Sequence, residues 1–113
     1  MTIFYKNQGY DLTTSNLTTV LNINTSTVAI IKEIGVVNDH NNIVEVNYYF
    51  NDYSASLSYK FYHTKVAANS NENAINNALV LEEGDYLQFQ ADGAGYISGQ
   101  ISYALLTRSG ENG

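Results

Sequence analysis

The sequence predicts an all-β protein: a single-domain antiparallel β-sandwich of the jelly-roll or immunoglobulin-like kind, with about eight strands and no substantial helix. Short runs rich in β-branched and aromatic residues recur along the chain, and polar turn-forming residues separate them at fairly even spacing. No stretch carries the 3.6-residue periodicity of an amphipathic helix. The length of 113 residues suits one domain with its own core, so residues 1–113 are assigned to a single β-sandwich domain.

The two ends of the chain differ from its middle. Residues 2–6 are β-prone, residues 7–9 interrupt them, and a clear strand pattern begins only at residue 17. Residues 1–16 are therefore predicted to form an extended N-terminal arm. The polar residues 107–113 are predicted to form a flexible C-terminal tail, because chain ends without apolar anchors order poorly.

The strongest strand signal lies in residues 27–51. Two runs of β-branched and aromatic residues, 28–37 and 43–51, flank the polar segment 38–42. This pattern predicts a β-hairpin with an exposed loop at its tip. The first run is apolar on nearly every position, which predicts a central strand whose faces serve both sheet and subunit contacts.

The remaining strands follow from alternation of apolar and polar residues. The segment 56–63 is predicted to extend the hairpin into a meander, and residues 66–77 to form a loop or helical turn that crosses between sheets. Strands are predicted again at 78–81, 86–91 and 96–106. The predicted inward-facing residues are Val44, Val46, Tyr48, Phe50, Leu87, Phe89, Ala91, Ile97, Gly99, Ile101, Tyr103 and Leu105. In the segment 56–63, Leu57, Tyr59, Phe61 and His63 are predicted to share one side of the strand.

Composition limits the partners. The net charge is -6, from 5 Lys+Arg and 11 Asp+Glu, and the five cations are scattered, which predicts no nucleic-acid partner. No apolar run reaches the length of a membrane span, and no signal peptide is expected, so we predict no membrane partner and synthesis in a cytoplasm. A charged fraction of 14% with 10 Tyr favours a surface for lasting protein contacts, although a biased genome explains it equally well.

Catalytic chemistry is not indicated. His40 and His63 lack a third partner for a metal, and the acidic turn at 82–85 is expected to be a solvated turn. The Gly-rich segment 93–99 lacks the Lys and following helix of a phosphate loop and is predicted to be a hairpin turn. We therefore predict no catalytic, cofactor-binding or metal-binding residues, no cofactor and no enzymatic activity.

Candidate interaction residues come from the tyrosine-rich strands and from the loop at 38–42. Tyrosines outside the core stack well on sugars or partner chains, because the ring is apolar and the hydroxyl is polar. For these clustered tyrosines, a role in the core or on the sheet surface is favoured, followed by a subunit interface and then by carbohydrate contact. The candidates are Tyr48, Tyr49, Tyr53, Tyr62, His40 and Asn41.

Part of the chain resembles a known kind of protein. The strand from Ala29 to Asn38, the Leu-Val-Leu-Glu-Glu-Gly-Asp-Tyr-Leu run that begins at Leu79, and the closing strand after a Gly-rich turn at 93–105 carry the resemblance. They resemble small β-sandwich structural proteins of tailed-bacteriophage virions, which decorate capsids or sit at the neck, tail and fibre attachments. The resemblance covers most of residues 27–106, and it implies a virion location and homo-oligomers.

The function predicted from these observations is that of a non-enzymatic bacteriophage virion structural protein. It would assemble by contacts with copies of itself and with other capsid, neck or tail proteins. The alternative is a carbohydrate- or receptor-binding β-sandwich module of a tail fibre, with a glycan as partner. That module would use Tyr53, Tyr62 and the Asn-rich segment 69–77.

Overall fold

The computed structural model describes residues 2–75 and 77–107, and these residues contain nine β-strands and no helix. Within this part of the chain there is accordingly no helix of the length and apolarity that a membrane crossing requires. The strands are β1 (Thr2–Leu12), β2 (Thr18–Asn22), β3 (Thr27–Asn38), β4 (Val44–Asp52), β5 (Leu57–Val66), β6 (Ser70–Asn73), β7 (Leu79–Leu81), β8 (Tyr86–Ala91) and β9 (Ile97–Thr107).

The strands form two antiparallel sheets that pack as a sandwich, which confirms the predicted fold class. Sheet A has the order β1-β9-β3-β6, and β7 pairs with β3 beside β6. Sheet B has the order β2-β8-β4-β5. Because β1 and β2, β3 and β4, and β8 and β9 lie in different sheets, the chain crosses repeatedly between layers. This is a jelly-roll arrangement in which one sheet A strand is split into β6 and β7.

Residues 27–51 do not form the predicted hairpin, because its two strands do not pair with each other. β3 is indeed central in sheet A, but β4 belongs to sheet B, so the polar segment 39–43 crosses between the sheets instead of turning a hairpin. Buried Asn38 holds the crossing, since its Nδ2 donates to the carbonyls of Asn42, Val66 and Ala67. Its Oδ1 accepts the backbone N–H of His40 at 2.9 Å. A polar link between two apolar runs looks the same in sequence whether the runs pair or separate.

β1 runs without a break through the predicted interruption at residues 7–9. It pairs with β9 in one continuous register, from Thr2 opposite Thr107 to Leu12 opposite Ile97. The N-terminal segment is thus an edge strand of sheet A, and an additional role as an arm stays a prediction. The predicted tail lies almost wholly outside the described residues, since Thr107 ends β9 and residues 108–113 follow it.

The core lies between the sheets and is centred on aromatic rings. The rings of Tyr48 and Phe89 meet edge-on with centroids 4.9 Å apart, and those of Tyr10 and Phe89 do so at 5.2 Å. Aliphatic side chains from both sheets fill the space around them. The inward faces predicted for β4, β8 and β9 are confirmed by burial of Val44, Val46, Tyr48, Leu87, Phe89, Ala91, Ile97, Ile101 and Tyr103.

β5 pairs with β4, as the predicted meander requires, but the side chains that share one face of β5 differ from the prediction. The pairing of β4 with β5 shifts register between Tyr48 and Tyr49, so Tyr48 opposes Tyr62 whereas Tyr49 opposes Lys60. Because of this bulge, Leu57, Tyr59, Phe61 and His63 do not share one side of the strand as predicted, and the buried residues near its end are Thr64 and Val66. The described residues of the segment 66–77 contain the short strand β6 and no helical turn, and the chain passes here from sheet B to sheet A, which is the predicted crossover.

Candidate functional site

Tyr48 is a core residue, which corrects its prediction as an interaction residue. Its side chain is 0% exposed and packs against Phe61, Tyr62 and Phe89. Its hydroxyl lies 3.2 Å from Oγ1 of Thr64, and burial raises the pKa of this hydroxyl above its ordinary value. A residue so enclosed offers no surface to a partner.

Tyr49 and Tyr62 lie on opposite faces of sheet B. Tyr49 points to the outer face, where the Lys60 ammonium sits 5.8 Å from the ring centroid. Tyr62 is half-buried on the inner face and packs against Tyr48. Together with Ile75 and Leu79, Tyr62 lines a shallow groove between the edge of β5 and the β6–β7 connection.

Tyr53 is exposed in the loop after β4, and a buried carboxylate fixes that loop. Asp85 Oδ1 accepts the Tyr53 N–H at 3.0 Å, and Oδ2 accepts the Glu82 N–H at 2.8 Å. Asp85 is only 1% exposed, so the predicted solvated turn is wrong at this position. The loop borders a cleft of about 340 Å³ whose lining includes Asn51, Tyr53 and Tyr86.

His40 and Asn41 lie in the segment that crosses from sheet A to sheet B. The His40 ring stacks on Tyr96 with centroids 3.9 Å apart and planes 8° apart, and its carbonyl accepts the N–H of Asn69. Asn41 is exposed. This segment precedes β4 and Tyr53 follows it, so the two lie at opposite ends of the sandwich, about 30 Å apart along a nine-residue strand. The candidate residues therefore do not form one site.

The structure brings together an apolar surface that the site prediction missed, on the outer face of sheet A. Cross-strand pairs place Tyr5 beside Ala104, Ala104 beside Ile30 and Ile30 beside Val80. The next row pairs Ile3 with Leu106 and Leu106 with Val28. We call this set the apolar face; its members are Ile3, Tyr5, Val28, Ile30, Val80, Ala104 and Leu106.

The apolar face is open to solvent at its margins. Tyr5 is 80% exposed, Ile3 53% and Val80 52%. Neither of the two cross-strand rows contains a charged residue. Beyond the register shift of β3 between Ile31 and Glu33, the same side of the sheet becomes polar, with Ser102 donating to Asn7 at 2.6 Å. The apolar pattern of residues 28–37 on both strand faces was the sequence signal for this surface.

The outer face of sheet B is polar and rich in amides. Gln88 accepts from Asn51 Nδ2 and donates to Thr19 Oγ1, which links β4, β8 and β2 across the sheet. At the β5 edge, Glu45 lies 3.9 Å from both His63 and Lys65. The exposed ion pair of Lys65 with Glu45 contributes little to stability.

The described residues contain no group of three or more His, Asp or Glu side chains placed to hold a metal ion. What the arrangement offers chemically is contact: an apolar face on sheet A, an amide-rich face on sheet B and aromatic side chains at both ends.

No protein-family model matches the chain, and no curated protein matches it by sequence. Among solved structures, the fold is similar to that of a chain in the acid-stable capsid of Helicobacter pylori bacteriophage KHP30, with a TM-score of 0.60 and 7% identity. That match covers 96% of this chain and 90% of the capsid chain.

Two further solved structures are similar at a TM-score of 0.51. One is from the Bacillus endospore appendages, described as disulfide-linked pili, with 12% identity over 92% of this chain and 86% of that chain. The other is from the Gx strain of infectious bursal disease virus, with 8% identity over 96% of this chain and 32% of that chain. At these identities the likeness is one of fold. The chain therefore has the β-sandwich fold that occurs in viral capsid and pilus proteins.

Proposed function

We propose that this protein is a non-enzymatic structural subunit of a bacteriophage virion that assembles by protein–protein contacts on the capsid, neck or tail. The apolar face is the observation that carries the proposal. Several of its side chains remain largely exposed, including Tyr5 at 80%. A contiguous apolar surface on a small domain is typical of a protein-interaction site, because burying it in an assembly removes it from water.

The likeness in fold to the bacteriophage KHP30 capsid chain supports the proposal, because that chain is close to this one in length. The proposed partners are copies of this protein and other virion proteins, and the proposed location is the virion after synthesis in the host cytoplasm. The acidic charge of -6 fits a protein that does not bind nucleic acid directly.

The test is detection of the protein in gradient-purified particles from a culture whose phage encodes it. We expect it to co-sediment with particles at a fixed ratio to the major shell protein, and to be lost when a Val80→Lys variant replaces it. A Tyr53→Lys variant is the matched control, since Tyr53 is also exposed but lies outside the apolar face. Absence of the wild-type protein from purified particles would overturn the proposal.

A second candidate function is glycan binding in the cleft beside Tyr53. The exposed ring of Tyr53 and the polar groups of Asn51, Asp52 and Ser58 border this cleft, which combines a stacking surface with hydrogen-bonding groups. A glycan array would detect saturable binding, which Tyr53→Ala should abolish and Tyr5→Ala should not. Absence of binding to any glycan would remove this candidate and leave the virion proposal standing.

A further inference from the structure

The free edge of sheet A is long and poorly protected. β1 forms this edge, with β9 on one side and no strand of the described chain on the other. Residues 2–9 are exposed on both faces, and the pairing with β9 has no register shift that would twist the edge away. Edge strands usually carry charges, Pro or bulges that block pairing with another chain, but Lys6 is the only charged residue among residues 2–10.

Apolar side chains point to both faces of this edge. Ile3 and Tyr5 belong to the outer apolar face, and Phe4 points to the inner face, where it is 46% exposed. A partner packed onto the outer face would leave Phe4 in water. A neighbouring strand covers side chains on both faces at once, because its own residues alternate in the same way.

We propose that this edge pairs with β1 of a second copy in antiparallel orientation, about a two-fold axis at Phe4. This deepens the proposed function, on which it rests, by naming the partner and the contact. A two-fold contact uses the same surface on both copies, and β1 supplies a strand that matches itself. With the axis at Phe4, the paired residues 2–6 contain one charge per copy, Lys6, and no acidic residue, so two acidic chains meet without placing carboxylates opposite each other.

The side chains select the register. An axis at Phe4 places Ile3 beside Tyr5 of the second copy on the outer face, Phe4 beside its counterpart on the inner face, and Lys6 beside Thr2. An axis at Lys6 would place two ammonium groups opposite each other, which is destabilising. The chosen register also joins the two apolar faces into one continuous surface, which is left available to a virion shell.

The oligomeric state tests the pairing. Light scattering of the purified wild-type protein should give multiples of a dimer mass. Tyr5→Lys should weaken the dimer at least about tenfold, because an edge lysine opposes pairing. The control Tyr53→Lys adds the same charge outside the contact and should not weaken the dimer. Equal dimer stability in Tyr5→Lys and wild type would overturn the proposed contact.

A cysteine pair tests the register, and the chain contains no Cys that would interfere. Phe4→Cys should form a disulfide-linked dimer under mild oxidation, because directly opposed strand residues have Cα atoms about 4.5–5.5 Å apart, within disulfide range. Gln8→Cys, on the same strand and face, would lie about 27 Å from its counterpart and should not crosslink. Crosslinking of Gln8→Cys in preference to Phe4→Cys would exclude this register.

The two proposals fail in distinguishable ways. If the protein enters particles but is a monomer, or if Tyr5→Lys does not weaken its dimer, the virion function stands and the β1 contact is excluded. A protein that forms the β1 dimer yet is absent from purified particles retains the contact and loses the virion function.

Discussion

At the residue scale, single buried polar groups hold the loops between the sheets. Asn38 satisfies three carbonyls and one N–H with one side chain, and so joins the start of β4 to the end of β5. At the other end of the sandwich, the Asp85 carboxylate accepts two backbone N–H groups and so joins the loop after β4 to the turn before β8. Asn38 ends β3 and Asp85 immediately precedes β8, and the sequence shows both only as polar residues in polar segments.

Replacement of Asn38 by Ala should destabilise the fold by about 3 kcal/mol, because it removes four hydrogen bonds to backbone groups that are buried or part-buried. Urea denaturation measures the change. The control is Asn41→Ala in the same crossing segment, where the side chain is exposed and the change should stay within about 0.5 kcal/mol. Equal stability of the two variants would contradict the assigned role of Asn38.

Buried tyrosines predict loss of stability at high pH. Burial raises the pKa of Tyr10 and of Tyr48 above the ordinary value of 10.0. The unfolded chain therefore releases these protons first. The stabilising contribution is complete below about pH 10 and falls above it, by up to about 1.4 kcal/mol per pH unit for each tyrosine.

Urea midpoints between pH 8 and pH 11 measure this loss. Tyr10→Phe also removes the hydrogen bond from the Tyr10 hydroxyl to the Gly35 carbonyl, so the pH slopes are compared and not the absolute stabilities. The slope above pH 10 should be shallower in Tyr10→Phe than in wild type. Identical slopes in Tyr10→Phe and wild type would contradict the prediction.

At the element scale, the register of sheet A depends on the close approach of β9 and β3. A Cβ at Gly99 would overlap the Gly35 carbonyl and crowd the Tyr10 hydroxyl. Tyr10 lies opposite Gly99 on β1 and its hydroxyl donates to that carbonyl at 2.7 Å. A glycine in the middle of a strand, which normally weakens it, is here required by the neighbouring backbone.

Gly99→Ala should cost about 3 kcal/mol or more, because the two strands must separate to admit the methyl group. Gly9→Ala is the matched control on the adjacent strand, where an added Cβ meets only the Gly99 carbonyl at 4.0 Å. Thermal unfolding of both variants measures the difference. Similar melting temperatures for Gly99→Ala and wild type would show that the strands tolerate the extra atom.

Strand existence was predictable at this scale, whereas strand partnership was predicted correctly only for β4 with β5. The Gly-rich segment after β8 is not the predicted hairpin turn, since β8 and β9 lie in different sheets and the chain crosses between them there. Alternation identified the inward faces of β4, β8 and β9 because one buried face leaves a period of two in the sequence. The same signal failed at β5, where the bulge opposite Tyr48 and Tyr49 reverses the alternation. Alternation placed Tyr48 inward, as its burial confirms, whereas its choice as a candidate interaction residue came from the clustering of tyrosines, which does not distinguish core from interface.

At the scale of the whole molecule, the net charge opposes association of two copies, whereas the apolar surface favours it. Each chain carries a net charge of -6, so two copies repel over distances of about a Debye length. The β1 edge and the apolar face are where contact avoids that repulsion. Assembly should therefore depend on ionic strength.

Raising NaCl from 20 to 300 mM should tighten the dimer, because salt screens the repulsion between like-charged subunits and does not weaken apolar contacts. Sedimentation velocity across the salt series measures the dissociation constant. Tyr53→Lys makes the net charge of each subunit less negative at a position outside the contact, and so should reduce the salt dependence. Dissociation at high salt would instead indicate an interface held by ion pairs.

The sequence by itself determined that the chain is an acidic, all-β, single-domain sandwich. Composition and two-residue periodicity are local properties, so they can be identified without knowing which strands pair. Only the tertiary structure decided that residues 39–43 cross between sheets, that Asp85 is buried, and that Ile3, Tyr5 and Val80 share one face. The physical reason is that strand pairing joins residues up to about a hundred positions apart, such as Thr2 and Thr107. Which pairs form depends on the packing of the whole core, and no short stretch of sequence records it.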